Sequence, residues 1–386
     1  MSTKTAPAYA NDGVDLDAGD SFSTFAGRIC RVSYENSPYV KVRDWSAGQF
    51  RGPRTFKLRG LSNDCELSLD PDGNGTKVGI TSTAKTPLDS AADLFEMTAM
   101  DGVRYGGKPA VFVNQLDASS LGDEGTPKNE FFRDLLVGLG VVAAEQQVVL
   151  LKGETAEMGA FVSSEDPNAL AKYLWCGTML SIYHPQACIN GSSLRPGQTV
   201  VALPEFGLRA NGGSSARKAF AMRYGPDWYE NYTAVDDIAA AAVPSTPYGN
   251  FLTDVNGWNS LEDGAPAPLI RVSAIAHITG GGIPSKFFSG LLKPLGLSAE
   301  LSDLPEPPEI MRKLAQWRGV SGKEPYDIWH GGPGALVVLD EADVLEFVAA
   351  AKIFGIEAKP AGVITQPGTP SLSITSKFDG EKLVWH

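Results

Sequence analysis

Two carboxylates and a hydroxyl follow directly on an apolar run near the middle of the chain. Residues 148–151 form the run, and the hexapeptide 153–158 after it contains Glu154, Thr155 and Glu157. An apolar strand that ends in oxygen-bearing side chains presents hard ligands at a sheet edge, where α/β enzymes commonly bind their ligands. Such ligands suit Mg²⁺, although the same carboxylates can also open a solvated helix. We predict that Glu154 and Thr155 bind phosphate and, through Glu154, a metal ion.

The segment 70–77 combines aspartates, glycines and a lysine. Its opening matches a calcium-binding EF-hand loop, but position twelve would be Thr81, where that loop needs a bidentate glutamate. The glycines instead allow backbone N–H groups to approach a phosphate, while Asp72 holds a metal ion and Lys77 neutralises charge. A plain hairpin turn is the alternative. The phosphate-binding residues predicted here are Asp72, Gly73, Gly75, Thr76 and Lys77.

A carboxylate also lies on the apolar face of a predicted helix over residues 88–104. Leu94, Met97 and Asp101 follow a helical spacing and share one face. Burying a carboxylate is costly unless it is paired or bound to a metal, although a residue near a helix end can also reach solvent. Together, Asp72, Asp101 and Glu154 predict one Mg²⁺ site that bridges triphosphate oxygens.

Two further motifs lie in the second half of the chain. Asn211, Gly212 and Ser214 precede a predicted helix that carries Arg217, and free N–H groups at such a helix start bind anions. A surface loop is the alternative there.

An apolar strand in the second half ends in His277 and is followed by three consecutive glycines. Glycine runs are costly in backbone entropy, so a ligand or another backbone segment must approach closely. A structural histidine is the alternative reading of His277. From this motif we predict nucleotide contacts at His277, Gly280 and Gly281.

Strands and helices mix in both halves of the chain, which predicts an α/β or mixed α+β fold. A Pro/Gly break at residues 194–198 divides the chain into domains at 1–193 and 194–386, and residues 1–55 form a polar arm. We predict strands at 65–69, 109–116, 147–152, 173–183, 199–203, 270–278 and 334–340, and helices at 88–104, 128–145, 214–223, 307–318 and 341–354.

Composition excludes several classes of partner. The 386 residues include 33 basic and 45 acidic side chains, a net charge of -12, which disfavours nucleic acid and anionic membranes. We see no apolar stretch that approaches the roughly 20 residues of a membrane span, and no secretory signal at the start. Four cysteines and four histidines lack the spacing of a zinc site. We therefore expect a cytoplasmic protein with small-molecule ligands.

In their order, these motifs resemble the phosphoribosylformylglycinamidine cyclo-ligases, also called aminoimidazole ribonucleotide synthetases. Segments 9–19, 153–158, 274–282 and 359–363 carry the resemblance, which spans roughly residues 9–363. It implies a two-domain fold in which the N-terminal sheets of two subunits pair in a homodimer and the C-terminal domain is a mixed sheet with helices.

The resemblance also implies a reaction. Such a ligase uses ATP, with Mg²⁺, to close the imidazole ring of formylglycinamidine ribonucleotide in purine biosynthesis, releasing ADP and phosphate. By position, the resemblance implies catalytic roles for Lys77, Asp101 and His277. It places a sugar-phosphate substrate near Asn211, Gly212, Ser214 and Arg217.

The chain departs from the family pattern at several positions, mainly on the substrate side. Two alternatives therefore stay open: a related enzyme of the same fold that activates another substrate with ATP, or a non-catalytic nucleotide-binding homodimer. Relatives of that fold include selenophosphate synthetase, thiamine-monophosphate kinase and the hydrogenase-maturation dehydratase. The departures are Cys30 for a lysine, a reduced glycine stretch near 45–55, Asn74 for valine, Met100 for asparagine, Arg209 for histidine and His330 for asparagine.

Overall fold

The computed structural model describes residues 16–45, 52–366 and 368–386. Most of the predicted signature at 9–19 and the short stretch at 47–50 lie outside the described residues. The remaining motifs of the sequence can all be placed.

The N-terminal half is built around a four-stranded sheet with the strand order β3-β6-β4-β5. Strands β4 and β5 are parallel, and the other neighbours are antiparallel. The elements are α1 (Leu16–Val32), β1 (Val40–Asp44), β2 (Arg54–Leu58), β3 (Glu66–Gly73), α2 (Lys77–Ala84), α3 (Pro87–Val103), β4 (Lys108–Ala118), α4 (Pro127–Glu145), β5 (Val149–Glu157) and β6 (Tyr173–Tyr183).

One face of this sheet is covered and the other is partly open. Trp175 and Met179 of β6 are buried in a cluster with residues of α1, α3 and α4. Because side chains alternate along a strand, Leu174 points the other way and is 53% exposed. On β3, Leu67 and Leu69 lie on the same open face and are 50% and 67% exposed. This half therefore presents apolar side chains that no described residue of the chain covers.

The C-terminal half is built around a seven-stranded sheet with the order β10-β12-β7-β13-β11-β14-β15. Both of its faces are buried by separate apolar clusters. The elements are β7 (Thr199–Pro204), α5 (Gly213–Tyr224), α6 (Val235–Ala242), α7 (Gly249–Val255), β8 (Leu261–Glu262), β9 (Ala265–Pro266), β10 (Val272–His277), a π-helix (Pro284–Leu292), β11 (Ser298–Leu301), α8 (Glu309–Arg318), α9 (Glu324–Ile328), β12 (Pro333–Leu339), α10 (Val344–Ile353), β13 (Lys359–Thr365), β14 (Leu372–Thr375) and β15 (Lys382–Trp385).

Each sheet takes its strands from one side of the predicted boundary at residue 193, which lies in the connection between β6 and β7. The halves nevertheless interlock. Trp258 Nε1 donates to the carbonyl of Gly106 at 2.8 Å, and Asn256 Nδ2 donates to the carbonyl of Ala187 at 2.8 Å. The division into two domains remains a prediction, whereas the mixed α/β fold is confirmed.

The longest helix in the described residues is α4, with 19 residues, and it carries charges in its first two turns and at its last residue. None of the helices in the described ranges is long and apolar enough to cross a membrane.

The predicted helices and strands named above are present, with two informative differences. Strand β5 does not end before the hexapeptide 153–158 but continues to Glu157, because β4 pairs with it as far as Ala118. Strand β3 likewise runs to Gly73 rather than ending at residue 69. Backbone pairing with a neighbour carries both strands past their apolar parts, so acidic residues expected in loops lie within strands.

Candidate active site

The four-stranded sheet separates Asp72 and Glu154. They lie on β3 and β5, the two outer strands, three strand spacings or roughly 14 Å apart. Asp72 is paired with Gly177, which is paired with Asn114, whereas Glu154 is paired with Gln115. Adjacent residues of a strand point to opposite faces, so Asp72 and Glu154 project from opposite faces of the sheet. One ion cannot contact both carboxylates in this structure.

Asp101 lies near Asp72 rather than near Glu154. It forms an ion pair with Arg104 at 3.2 Å, and its side chain is about a third exposed. Burial raises the pKa of Asp101 above its ordinary value; Arg104 opposes this, and the nearby carboxylates of Asp72 and Asp70 add to it. Asp72 and Asp101 thus share one side of the sheet.

The described part of the chain contains no group of three or more His, Cys, Asp or Glu side chains placed to hold a metal ion. The predicted single centre of Asp72, Asp101 and Glu154 is therefore wrong as an arrangement. Its error has a physical reason: the sequence places each carboxylate near a strand or helix end but does not give the order of the strands.

Two adjoining cavities meet at Glu154. The first, of about 500 Å³, lies along β3, β6, β4 and β5 and is lined by Asp72, Asn114, Cys176 and Glu154 among others. The second, of about 510 Å³, lies between α1, α4 and β5 and is lined by Asn114, Glu154 and Thr155 among others. Their volumes are within the range of ligand pockets. Glu154 and Thr155 therefore line space large enough for a ligand, and their predicted binding roles remain predictions.

Two arginines that the motifs did not reveal line the second cavity. A side chain added at Gly27 of α1 would begin 3.7 Å from the Arg31 guanidinium and 3.8 Å from Arg54 Nη2. Arg54 has a partner in Asp44, at 3.6 Å. Two guanidinium groups brought this close favour an anion between them. No sequence motif marks this pair, because the two residues belong to separate elements of the arm.

Lys77 does not point into either cavity. Its side chain is 1% exposed, and its ammonium group forms an ion pair with Asp93 Oδ2 at 2.7 Å and donates to the carbonyl of Val243 at 2.7 Å. The Asn74 side chain in the same segment is also buried and donates to Ser90 Oγ at 3.1 Å. These contacts fasten the segment to α3 and to the C-terminal half, so Lys77 acts as a structural cation in this structure.

The predicted phosphate-binding segment at 70–77 packs against the predicted substrate-binding segment at 211–217. The hydroxyls of Thr76 and Ser214 are 3.0 Å apart, and a Cβ at Gly213 would meet the Thr76 hydroxyl at 3.0 Å. Gly75 and Thr76 line a third cavity, of about 410 Å³, together with Arg217. The structure thus brings nucleotide-side and substrate-side residues to one place at the junction of the two halves.

Arg209 lies at the centre of a buried charge network. It is 1% exposed, its Nη1 donates to Glu205 Oε2 at 2.5 Å, and its Nη2 is 2.6 Å from His277 Nε2. A guanidinium has only donors, so His277 Nε2 must accept, which makes the imidazole neutral with its proton on Nδ1. Burial, reinforced by Arg209, lowers the pKa of His277 well below its ordinary value. In this structure His277 Nε2 already accepts a hydrogen bond from Arg209. The catalytic role of His277 remains a prediction.

Glu96 of α3 shares the same arginine at the longer distance of 3.8 Å. One guanidinium neutralises the nearer carboxylate, Glu205, and Arg209 keeps the pKa of Glu205 low although burial opposes this. Burial raises the pKa of Glu96 to about 8. At neutral pH, Glu96 is therefore protonated and Glu205 is ionised.

The glycine run after His277 serves backbone packing at two of its three positions. Gly281 has φ 85° and Gly282 has φ 59°, and a Cβ at Gly282 would collide with the carbonyl of Tyr326. A Cβ added at Gly280 would have Asn211 Nδ2 as its nearest atom, at 3.9 Å. Asn211 Oδ1 is buried and has no hydrogen-bond partner among the described atoms. Gly280 and Asn211 therefore face each other, whereas Gly281 and Gly282 close on protein.

Most of the departures from the family pattern are buried. Met100 belongs to the core, and Cys30 is 8% exposed. His330 accepts at Nδ1 from the N–H of Gly332 at 3.1 Å, and its Nε2 lies 2.8 Å from the Gly207 carbonyl. Burial lowers the pKa of His330 to about 4. These side chains are parts of the fold, with no charge directed at the two cavities around Glu154.

Comparison with solved structures defines the class of fold. The chain superposes on the hydrogenase maturation protein HypE with a TM-score of 0.56, at 14% identity, over 93% of this chain and 95% of that one. A thiamine-monophosphate kinase from Stenotrophomonas maltophilia gives 0.56, at 11% identity, over 92% and 95%. T. maritima PurL complexed with FGAR gives 0.54, at 13% identity, over 84% of this chain and 46% of that one. The fold is the one that these proteins share.

Sequence comparison is more specific. No family model matches the chain. It is 27% identical to a phosphoribosylformylglycinamidine cyclo-ligase from Picosynechococcus over 361 residues, 92% of this chain and 96% of that protein. The cyclo-ligase from Myxococcus xanthus is 27% identical over 367 residues, 92% and 94% of the two chains. The resemblance to the cyclo-ligases is confirmed over nearly the whole length.

Breaking the buried ion pair of Lys77 should destabilise the fold. Asp93→Asn leaves a buried ammonium without its counter-ion, and we expect a loss of about 3–5 kcal/mol in the free energy of unfolding, measured in urea. The control is Asp89→Asn on the exposed side of the same helix, expected within about 0.5 kcal/mol of wild type. Equal stability of the two variants would contradict the structural role of Lys77.

Glu96 should make stability depend on pH. Its pKa is raised from 4.5 to about 8 in the folded protein, so the folded state binds the proton more tightly than the unfolded state. The free energy of unfolding should therefore fall as pH rises between about 4.5 and 8, and Glu96→Gln should remove that part of the slope. Urea unfolding of wild type and of Glu96→Gln at several pH values measures this slope. Glu130→Gln, at an exposed glutamate, is the control. Parallel curves for wild type and Glu96→Gln would refute the assignment.

Proposed function

We propose that this protein is an ATP-dependent cyclo-ligase that closes the imidazole ring of formylglycinamidine ribonucleotide and releases ADP and phosphate. The observation that carries the proposal is similarity to named cyclo-ligases at 26–28% identity over more than nine-tenths of the chain. Solved relatives of the fold include one in complex with ATP. Purine biosynthesis in the cytoplasm is the setting that this reaction implies.

The chemistry requires activation of an amide oxygen, which is a poor leaving group. In the proposed reaction that oxygen attacks the γ-phosphorus of ATP and displaces ADP, giving an imidate phosphate. A nitrogen of the same molecule then attacks the activated carbon, the C–O bond to phosphate breaks, and the nitrogen loses a proton. A protein that performs this must hold the triphosphate and a second anion close together.

The paired cavities at Glu154 supply the nucleotide site in this proposal. Thr155 offers a hydroxyl, Asn114 an amide, and the Arg31 and Arg54 guanidinium groups offset phosphate charge. In this proposal Lys77 links the two halves and His277 holds Arg209 in place, since both side chains are buried and paired. These roles differ from the catalytic ones implied by the resemblance.

Magnesium fits this arrangement only as an ion carried by the nucleotide. Mg²⁺ is commonly bound by one or two carboxylates together with substrate phosphates and water. Asp72 and Asp101, which influence each other electrostatically, are the proposed protein ligands. When bound, the ion would offset charge on the transferring phosphoryl group.

A second candidate is an ATP-dependent enzyme of the same fold with another substrate. It is favoured by Arg209 and Glu205, an ion pair that occupies the centre of the interface between the halves, where the resemblance implies a histidine. ATP binding without ring closure is the result that would select this candidate.

The assay is direct. Purified protein with ATP, Mg²⁺ and formylglycinamidine ribonucleotide should form aminoimidazole ribonucleotide and ADP in equal amounts. Chromatography measures both products. Arg54→Ala should raise the KM for ATP about tenfold or more, because one charge-assisted contact is lost. Arg59→Ala, at an exposed arginine directly after β2, is the control. Absence of product from wild type would sink the proposed reaction.

We also propose that the open face of the four-stranded sheet pairs with a second copy of the chain, as the resemblance implies. Its exposed leucines on β3 and β6 support this, because apolar side chains clustered on one face favour an interface. Leu69→Lys should convert the dimer to a monomer in light scattering at micromolar concentration. Leu345→Lys, on an exposed leucine of α10, should leave the mass unchanged. A wild-type monomer, or a Leu69→Lys dimer, would contradict the pairing.

A further inference from the structure

The third cavity lies where the two halves meet, and we call it the junction cavity. It has a volume of about 410 Å³ and is lined from the N-terminal half by Thr76, Glu165 and Lys172 and from the C-terminal half by Arg217. Ser163 and Ser164 add two more hydroxyl-bearing residues to the lining. The cavity thus combines two cations with several hydroxyl groups, which is the chemistry that recognises a phosphate monoester.

The cations of the junction cavity keep donors for a ligand. Arg217 Nε is buried and has no hydrogen-bond partner among the described atoms, which is costly unless a ligand or water completes it. Lys172 Nζ donates to the carbonyl of Pro167 at 2.6 Å, which uses one of the three N–H groups of the ammonium.

Glu165 occupies the position that a ligand anion would take. Its Oε2 lies 3.3 Å from Arg217 Nη1, and its side chain is 51% exposed. An ion pair whose carboxylate is half-exposed contributes little to stability, so an incoming phosphate can replace the carboxylate at small cost. Glu165 also offsets part of the positive charge of the two cations that line the cavity.

The junction cavity is next to the first cavity at Glu154. Leu174 lines the junction cavity, and Cys176, two residues further along β6, lines the first cavity. Two residues of a strand span roughly 7 Å. A sugar phosphate whose phosphate lies in the junction cavity can therefore direct its other end towards the proposed nucleotide site.

We propose that the junction cavity is the phosphate-monoester subsite of the substrate, in which Lys172 and Arg217 bind the phosphate and Glu165 is displaced from Arg217. The naming of the ligand as a substrate rests on the proposed function. Lys172 and the segment 163–165 belong to no motif that the sequence reveals, whereas Thr76 is predicted from the segment 70–77 and Arg217 from the resemblance.

The test is calorimetric titration with ribose 5-phosphate, with no nucleotide present. Lys172→Ala and Arg217→Ala should each bind at least tenfold more weakly than wild type, which corresponds to ~1.4 kcal/mol. Glu165→Gln should bind as tightly as wild type or more tightly, because the competing charge is gone. Lys218→Ala, an exposed neighbour on the same helix, should bind within twofold of wild type.

Two arms separate phosphate recognition from other causes. If inorganic phosphate binds to wild type and this binding is lost in the same two variants, the subsite is supported. If ribose binds as tightly as ribose 5-phosphate, the subsite is overturned. Unchanged affinity in both Lys172→Ala and Arg217→Ala, with thermal unfolding like wild type, also overturns it. Absence of any ribose 5-phosphate binding to wild type does so too.

The proposed reaction and the subsite fail in different ways. If wild type binds ribose 5-phosphate through Lys172 and Arg217 but makes no ring-closed product, the reaction is refuted and the subsite stands. If wild type makes product and both variants keep the wild-type KM for the ribonucleotide, the subsite is refuted and the reaction stands.

Discussion

Arg209 is the buried charge on which the relative placement of the two sheets depends. A guanidinium stays protonated in a protein, so burial obliges the surroundings to supply acceptors. Glu205 and His277 supply them from the C-terminal half, and Glu96 approaches from α3 of the N-terminal half. A sliding movement between the halves would separate Arg209 from Glu96, whereas Glu205 and His277 would move together with it. A Cβ at Gly334 of β12 would lie 2.6 Å from Arg209 Nη1, so the strand must carry glycine where the arginine passes.

Lys77 repeats the same constraint about one turn away on α3, at Asp93. Its partner Asp93 lies on the helix, and its second acceptor is the carbonyl of Val243 in the C-terminal half. Buried pairs of this kind add little net stability compared with apolar packing, but losing one partner is expensive. They therefore fix geometry more than they add free energy. The cavities formed between the halves have fixed walls because charged side chains hold both sides.

Much of the fold follows from the sequence, and the errors have a common cause. The helices near 88–104 and 128–145 and the strand at 173–183 are read from periodicity, because their buried faces must be continuous. The motif around Glu154 lies on an outer strand of the sheet and lines a cavity, and its ligand remains a prediction. Whether Asp72 lies beside Glu154, however, depends on strand order, which is set by pairing between distant segments. The roles of Lys77 and His277 depend in the same way on partners such as Asp93 and Arg209, which no local pattern announces.

Net charge gives a further reason to look at local cations. A protein with a formal charge of -12 repels anionic ligands at long range, although salt screens this beyond about 8–10 Å. A nucleotide and a sugar phosphate must therefore be attracted at short distance. The structure gathers guanidinium or ammonium groups at two separate cavities, Arg31 with Arg54 and Lys172 with Arg217. Buried cations that already have carboxylate partners cannot bind an incoming anion. The partly exposed cations at the cavity walls are therefore the groups that can exchange a protein partner for a ligand.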